Sequence, residues 1–403
     1  MKRAILLLSL IALFVQCKDD EIDPKESFTK IYDSFRSDHD YNPIDVVALD
    51  TGYLILAGQK LSNSQYMGVQ LIKLDEAGNY TMEDEVLPEA YVAPIGDLVT
   101  IGDNHYFLTM EEQASYGARL VEVMGNSPAD YNIITPGGGL TFPLAMAKTE
   151  NDELLILSYN AGSEQMVISL HATDGSRIGG NGYAIGAGAT FDDITGSSIF
   201  DHYIDPERDG LPFFCGQIPG GDYYFNGVYG YTMSWVFTNF GNTPTGQVQG
   251  QGAHGGMTAA LPLGGNSFSI FGYQYNDNFI NPIQTVDYTS SPSSVDYFSL
   301  PFSEFKSRTN AKIISADLGL STYSIVAAES QSRQVVLYFY DSTSGELAGI
   351  HKIGHLNPYE LSSIKLDADN NLMVLGTTLV SGRLPRIFFS KIPEKELLGF
   401  VGQ

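Results

Sequence analysis

The sequence predicts an all-β fold, a β-propeller of seven four-stranded blades closed by an N-terminal strand. Three observations predict it. A strand–turn–strand cadence returns about every fifty residues, which is the period of propeller blades rather than of a sandwich. The composition, with 24 Tyr, 22 Phe and 42 Gly, is that of pleated surfaces joined by tight turns. A long amphipathic helix is missing; the best helical stretch is the short Pro393-Glu-Lys-Glu-Leu-Leu segment. Six or eight blades are the alternatives, because the stretch from Thr190 to Thr245 is irregular.

The elements follow in order. Phe28-Thr-Lys-Ile-Tyr-Asp-Ser-Phe reads as a strand before the first unit and is assigned to the last blade, which has no obvious fourth strand after Leu397. The first unit starts at Asp45-Val-Val-Ala-Leu-Asp-Thr-Gly-Tyr-Leu-Ile-Leu-Ala-Gly, a strand, a turn at Thr51 and a second strand. Gly68 to Asn79 adds a third strand ending in an acidic glycine turn. Its alternate residues Val69, Leu71 and Lys73, and Gln70, Ile72 and Leu74, make both faces largely apolar, as in a strand sandwiched between sheets. Thr81 to Leu87 is the fourth strand. Later turns fall near Asp103, Asn151, Asp209, Gly265, Leu320 and Asn370. The last unit runs from Leu361 through Asn370 to Arg386-Ile-Phe-Phe-Ser-Lys-Ile-Pro. The stretch from Tyr275 to Val295, rich in Asn, Tyr, Pro and Ser, reads as a protruding loop.

The first and last units carry a Gly-Tyr-aliphatic-Gly strand and a Leu-Asp-x-x-Gly-Asn turn. They resemble the degenerate β-propeller repeats of bacterial extracellular proteins. These motifs are turn chemistry and speak to fold alone. The tryptophan-aspartate repeat and the tyrosine-tryptophan pair of kelch blades are both missing.

The N-terminus reads Met1-Lys-Arg, an apolar stretch from Ala4 to Val15, Gln16 and Cys17. That is signal-peptide length, short of the roughly 20 apolar residues of a membrane span. It resembles a bacterial lipoprotein signal, which implies cleavage after Gln16 and acylation of Cys17. Lys18-Asp19-Asp20 resembles the export tag of surface lipoproteins in Bacteroidota and implies display at the outer face of the outer membrane. The chain then divides into a signal peptide (1–16), a lipidated cysteine with an acidic tether (17–26) and one propeller domain (27–403).

A net charge of −25 repels nucleic acid and anionic lipid, so a nucleic-acid partner is excluded and membrane attachment falls to the acyl chains on Cys17. There are two cysteines. With Cys17 acylated, Cys215 has no intramolecular partner, which excludes a disulfide framework and a cysteine zinc site. In Leu211-Pro-Phe-Phe-Cys-Gly the Cys215 thiol reads as buried and inert.

Few residues carry chemistry. Asp205, Glu207 and Asp209 alternate before Gly210 like the start of a calcium loop, but Gly216 stands where the twelfth-position glutamate belongs, so a solvated turn is the favoured reading. No other cofactor is expected. His202 and His254 are isolated. Tyr223, Tyr224, Tyr229, Tyr231 and Trp235 cluster among glycines and are the candidate contacts for a protein partner or a sugar, weighed against packing between blades. The chain has no Gly-x-Ser-x-Gly, His-Glu-x-x-His or phosphate-loop sequence and no sialidase aspartate box. A glycosidase carboxylate pair leaves no sequence trace among 47 acids. These observations favour a non-catalytic surface lipoprotein that docks, as a rigid subunit, onto an outer-membrane protein. A glycan-binding accessory lipoprotein of a nutrient-uptake system is the alternative, and a hydrolase with a carboxylate pair is the second alternative. The centre of the ring discriminates among them: convergent carboxylates, an aromatic strip or an apolar patch.

Overall fold

The computed structural model describes residues 26–32, 41–112, 114–195, 198–204, 213–249, 255–290, 297–380 and 384–402. Cys17, Lys18, Asp19 and Asp20 lie outside the described residues, as do Asp205, Glu207, Asp209 and His254.

Runs of β-branched and aromatic residues between Asx and glycine turns form the strands. The first, β1 (Phe28–Tyr32), stands apart from its sequence neighbours. Then come β2 (Tyr41–Leu49), β3 (Gly52–Lys60), β4 (Met67–Leu74) and β5 (Tyr80–Val86); β6 (Tyr91–Ile101), β7 (Asn104–Glu111), β8 (Gly117–Met124) and β9 (Tyr131–Ile134); and β10 (Pro143–Lys148), β11 (Leu154–Asn160), β12 (Gln165–His171) and β13 (Arg177–Ala184). Two short helices, α1 (Phe191–Thr195) and α2 (Asp201–Ile204), precede β14 (Phe214–Gln217), β15 (Tyr223–Tyr229), β16 (Thr232–Thr238) and β17 (Gly246–Gln249). The chain continues through β18 (Gly255–Gly264), β19 (Ser267–Gln274) and β20 (Asp277–Thr285), then β21 (Lys312–Leu318), β22 (Ser321–Glu329), β23 (Val335–Asp341) and β24 (Leu347–Ile353). It ends with β25 (Tyr359–Leu366), β26 (Leu372–Val380), β27 (Leu384–Ile392) and a helix, α3 (Glu394–Phe400).

Among the described residues every pairing is antiparallel, and each group is a meander in sequence order, with β1 added beside β27 in the last. The groups β2–β5 and β6–β9 count as one sheet only through the single pair Gly68–Val92. Contacts between groups run along their first strands: β2 touches β6, β6 touches β10, β10 touches β14, β18 touches β21, β21 touches β25, and β25 touches β2. The fourth and fifth groups meet through β16 and β18. The result is a β-propeller-like arrangement of successive meanders. In the fifth group the segment 297–302 runs beside β20, with Asn281 Nδ2 donating to Tyr297 O at 2.8 Å and Phe302 N donating to Asn278 O at 2.7 Å.

The strand assigned from sequence to the last unit goes there: β1 pairs with β27 from Phe28–Lys391 to Tyr32–Ile387. Phe28 packs edge-on against Phe389 at 5.3 Å and Tyr53 at 6.0 Å, in a core shared by β3, β4, β26 and β27. Gly78, in the left-handed region at φ 70°, makes room: a Cβ there would sit 2.6 Å from the Phe28 ring. Asp75 closes the same turn by accepting from Asn79 N at 2.7 Å, and Asp367 does the same for Asn371 N at 2.8 Å. The acidic turns of the first and last units are therefore Asx-stabilised.

A polar clamp ties the two ends of the domain to the second group. Asp45, fully buried on β2, accepts from its neighbour Val46 N at 2.8 Å and from Leu98 N of β6 at 2.5 Å. Ser363 and Lys365 of β25 also donate to its carboxylate. Lys365 donates again to Leu98 O at 2.6 Å.

Each meander starts at one face, so its first-to-second and third-to-fourth turns share the opposite, short-turn face. Hydrogen bonds between turns of neighbouring groups agree: Asp50 N to Asn126 Oδ1 at 3.1 Å, Gly220 N to Glu150 Oε2 at 3.0 Å and Asn370 Nδ2 to Asp317 O at 3.4 Å. The start of β1 lies beside the end of β27, so β1 begins at the short-turn face, where α3 also follows. The described parts of the links between groups, including α1 and α2, lie at the other face.

The turn expected near Asp209 lies outside the described residues, and the hairpin between the described strands β14 and β15 is at Gly220–Gly221. The residues upstream are helical because two reciprocal caps win. Thr190 and Asp193 exchange backbone-to-side-chain hydrogen bonds at 3.1 Å each, and Ser198 and Asp201 repeat the device, which is capping-box chemistry. The stretch from Tyr275 is not simply a loop, because it contains β20, whose Phe279 and Ile280 are buried.

Candidate ligand-binding site

Except between the fourth and fifth groups, the first strands of successive meanders pack side by side, so a side chain that leaves their pleat enters a shared space. Five of these strands carry a β-bulge. The register skips one residue at Ile44 in β2, Leu144 in β10, Thr258 in β18 and Ser362 in β25. In β6, Gly96, Asp97 and Leu98 together oppose Phe107. Bulges re-aim side chains, and here Ile44, Gly96, Asp97, Leu144, Thr258 and Ser362 all line one central cavity of about 190 Å³. Its wall is completed by residues that include Asn42, His202, Phe213, Asn310 and Lys312. A second cavity of about 550 Å³ follows toward the short-turn face and shares only Asp97 with the first.

Asp97 is the centre of this geometry. Its backbone is in the left-handed region at φ 68°, a costly conformation for a residue with a Cβ. The residue is exposed to the open cavity, as is Lys312, although protein packs around its carboxyl. Burial pushes its carboxyl above the usual range; Lys312 opposes that shift, Asp45 adds to it, and Lys365 opposes it. Among the described residues, no hydrogen bond or ion pair engages the Asp97 carboxylate or the Lys312 ammonium, in contrast to the fully engaged Asp45–Lys365 pair. The Thr258 hydroxyl, on a residue only 8% exposed, likewise has no partner among the described residues.

At the end of β22, Glu329 is pushed up to about 7, chiefly by burial, against the pull of Lys306 at 3.4 Å and with the push of Glu360. His202 packs edge-on against Phe213 at 4.9 Å and Tyr203 at 5.0 Å. Among the described residues, no three His, Cys, Asp or Glu side chains gather as metal ligands.

The aromatic run does not form one surface. Trp235 is 1% exposed and Tyr224 5% exposed; both sit in a core with Phe237 and Phe268. Tyr223 stacks on Phe240 at 4.6 Å, and Tyr229 meets Tyr183 edge-on at 6.2 Å. Tyr231 is 55% exposed at the β15–β16 turn, its hydroxyl donating to Ala187 O at 2.8 Å. Packing consumes two of the five side chains outright. Cys215 lies in β14, half-buried, its thiol donating to Leu155 O at 3.6 Å. Burial first, and then Asp97, push that thiol up, away from nucleophilic character.

Sequence reading missed Asp97, Lys312 and Thr258. One signal was present, since Gly96 interrupts the apolar run from Val92 to Val99, and an isolated glycine inside a strand marks a bulge.

No family model and no curated protein matches this chain. Among solved structures, the β-propeller domain of the trilobed protease from Pyrococcus furiosus is 11% identical, with 87% of this chain and 95% of that chain covered and a TM-score of 0.47. The acylaminoacyl peptidase of Pyrococcus horikoshii is 10% identical, with 87% and 51% covered and a TM-score of 0.47. The core factor of S. cerevisiae is 6% identical, with 95% and 63% covered and a TM-score of 0.48. The chain therefore spans about half the length of the peptidase and under two thirds of the core-factor chain. The architecture described above rests on strand pairing and not on these likenesses.

Proposed function

We propose that the protein is a non-catalytic surface lipoprotein, a seven-bladed propeller closed by β1, that serves as a rigid docking subunit of an outer-membrane complex. The observation that carries this reading is the position of the chain's start. The tether implied by Cys17 and the acidic 17–26 segment leads into β1 at the short-turn face. A body held from that face presents the opposite face, with the longer links and the mouth of the central cavity, away from the membrane. The ten residues between Cys17 and β1 would reach at most about 35 Å fully extended, enough to hold the body close to the bilayer without immersing it. The acids of the short turns, among them Asp50, Asp103, Asp152, Asp174 and Asp369, repel an anionic surface. Contact with lipid is thereby left to the acyl chains, and Lys18, Asp19 and Asp20 supply the export signal.

Cys17→Ala tests the anchor. It is expected to move the protein from the membrane to the soluble fraction, while the wild-type chain, extracted in mild detergent, elutes with a stoichiometric outer-membrane partner. Firm membrane retention of Cys17→Ala, or solitary elution of the wild type, overturns the reading.

A further inference from the structure

Apolar side chains filling the space between the first strands would stabilise the fold. This protein instead keeps about 190 Å³ open there and lines much of it with polar groups. We propose that the cavity binds a single neutral sugar residue, held by hydrogen bonds with Asn42, Asp97, Thr258, Asn310, Lys312 and Ser362. This inference is independent of how the protein is anchored or what it docks to.

Three observations carry it. The first is construction. Asp97, Thr258 and Ser362 are delivered by bulges on β6, β18 and β25, Asp97 at a left-handed backbone position besides. Each bulge costs ladder hydrogen bonds that a regular strand keeps, and the three bring polar residues to one space. Asn42 of β2, Asn310 just before β21 and Lys312 at its start complete the set. The second is hydrogen-bonding capacity. None of the six side chains has a hydrogen-bond partner among the described residues, and the Thr258 hydroxyl lacks one although the residue is only 8% exposed. Asp97 and Lys312 face an open, solvated space, so a ligand that displaces water there must offer what water offers. Asp97 calls for donors, Lys312 for acceptors, and the two amides and two hydroxyls for both. The hydroxyl groups around a sugar ring donate and accept together, and so replace water at such a mixed wall without bringing charge. Nor does the wall select an ion, since its one carboxylate and one ammonium cancel. The third is the rest of the lining. Ile44, Leu144 and the Phe213 ring stand between the polar groups and suit the C–H faces of a sugar, the usual mixture of an apolar wall with a few placed polar groups. About 190 Å³ is below the roughly 300–1,000 Å³ of sites for drug-sized molecules, so the site takes one sugar residue and not an oligosaccharide.

The test is isothermal titration of the intact protein, near neutral pH, with glucose, galactose, mannose, xylose, fucose and N-acetylglucosamine. Sodium acetate, methylammonium chloride and glycine serve as charged probes. At least one sugar is expected to bind, and more tightly than any charged probe. Asp97→Gly is expected to weaken that binding about tenfold or more, the size of one lost charge-assisted hydrogen bond, and Asn310→Ala about fivefold, the size of a neutral one. Glycine suits the left-handed backbone at position 97, so an unchanged or raised melting midpoint separates lost binding from lost fold. Lys148→Met, outside this cavity and paired with Asp152 at 2.6 Å, is expected to leave affinity unchanged. A disaccharide carrying the bound sugar at its non-reducing end separates the two sources of the same chemistry. Equal binding identifies the end of a glycan and lost binding a free sugar, and both support the proposal. It is overturned if no sugar binds, if a charged probe binds as tightly as the best sugar, or if either folded cavity variant binds as the wild type does.

Discussion

Replacing Lys365 with methionine is expected to destabilise the protein by about 3–5 kcal/mol, the cost of stranding a buried carboxylate without its counter-charge. Asp45 is 0% exposed, so water cannot replace the lost ammonium. The penalty is large because the clamp is shared. The same carboxylate receives Leu98 N from the second group and Ser363 from the last, and the same ammonium holds Leu98 O. Asp45→Leu combined with Lys365→Met should not restore full stability, although apolar replacement of a buried pair is often tolerated. Asp45 also accepts two backbone N–H groups, and a buried donor left unsatisfied costs about 1–3 kcal/mol. Urea unfolding measures both variants. A loss below about 1 kcal/mol for Lys365→Met would mean that the clamp does not hold these groups together.

Phe28→Ala should cost about 3 kcal/mol or more, in the range of large aromatic deletions from a core. The Phe28 ring fills the space between Tyr53 of the first group and Phe389 of the last. Its removal should also release β1 from β27. Hydrogen exchange is then expected to lose protection along Ile387–Lys391, the residues paired with β1, while β21–β23 keep theirs. Uniform loss of protection, or none, would contradict a separable closing strand.

Much of the fold was legible because its signals are local. The turns at Thr51, Asp103, Asn151, Gly265, Leu320 and Asn370 all fall between paired strands, since Asx and glycine chemistry acts within a few residues. The terminal helix and the placement of Phe28–Tyr32 beside the last unit were readable in the same way. The fourth unit was misread because its helical insertion is announced by caps, Thr190 with Asp193 and Ser198 with Asp201, and not by hydrophobic period. The cavity was not legible. Ile44, Leu144, Thr258 and Ser362 come from four separate groups, and only the pairing register reveals that each is the extra residue of a bulge. A bulge reverses the inside–outside alternation from which strand faces are read, and alternation is weak to begin with where both faces are covered, as Val46 and Val47 of β2 are by two different cores. Likewise, the aromatic run from Tyr223 to Trp235 showed residue type but not facing, and alternation across β15 and β16 sends Tyr224 and Trp235 into the core.

The central claim is that residues near the two ends of the chain meet in one sheet, β1 beside β27. Thr29 and Ser390 are direct partners in β1 and β27, their hydroxyl oxygens 2.8 Å apart. Paired residues in antiparallel strands have Cα atoms about 4.5–5.5 Å apart, within the span of a disulfide. The most direct measurement is oxidation of Thr29→Cys/Ser390→Cys in the chain beginning at Lys18, with Cys215→Ser removing the native thiol. The account predicts a 29–390 disulfide that forms in the folded protein, is identified by mass after digestion, and raises unfolding stability by about 2–5 kcal/mol. Two free thiols that react independently in the folded, oxidised protein would contradict it.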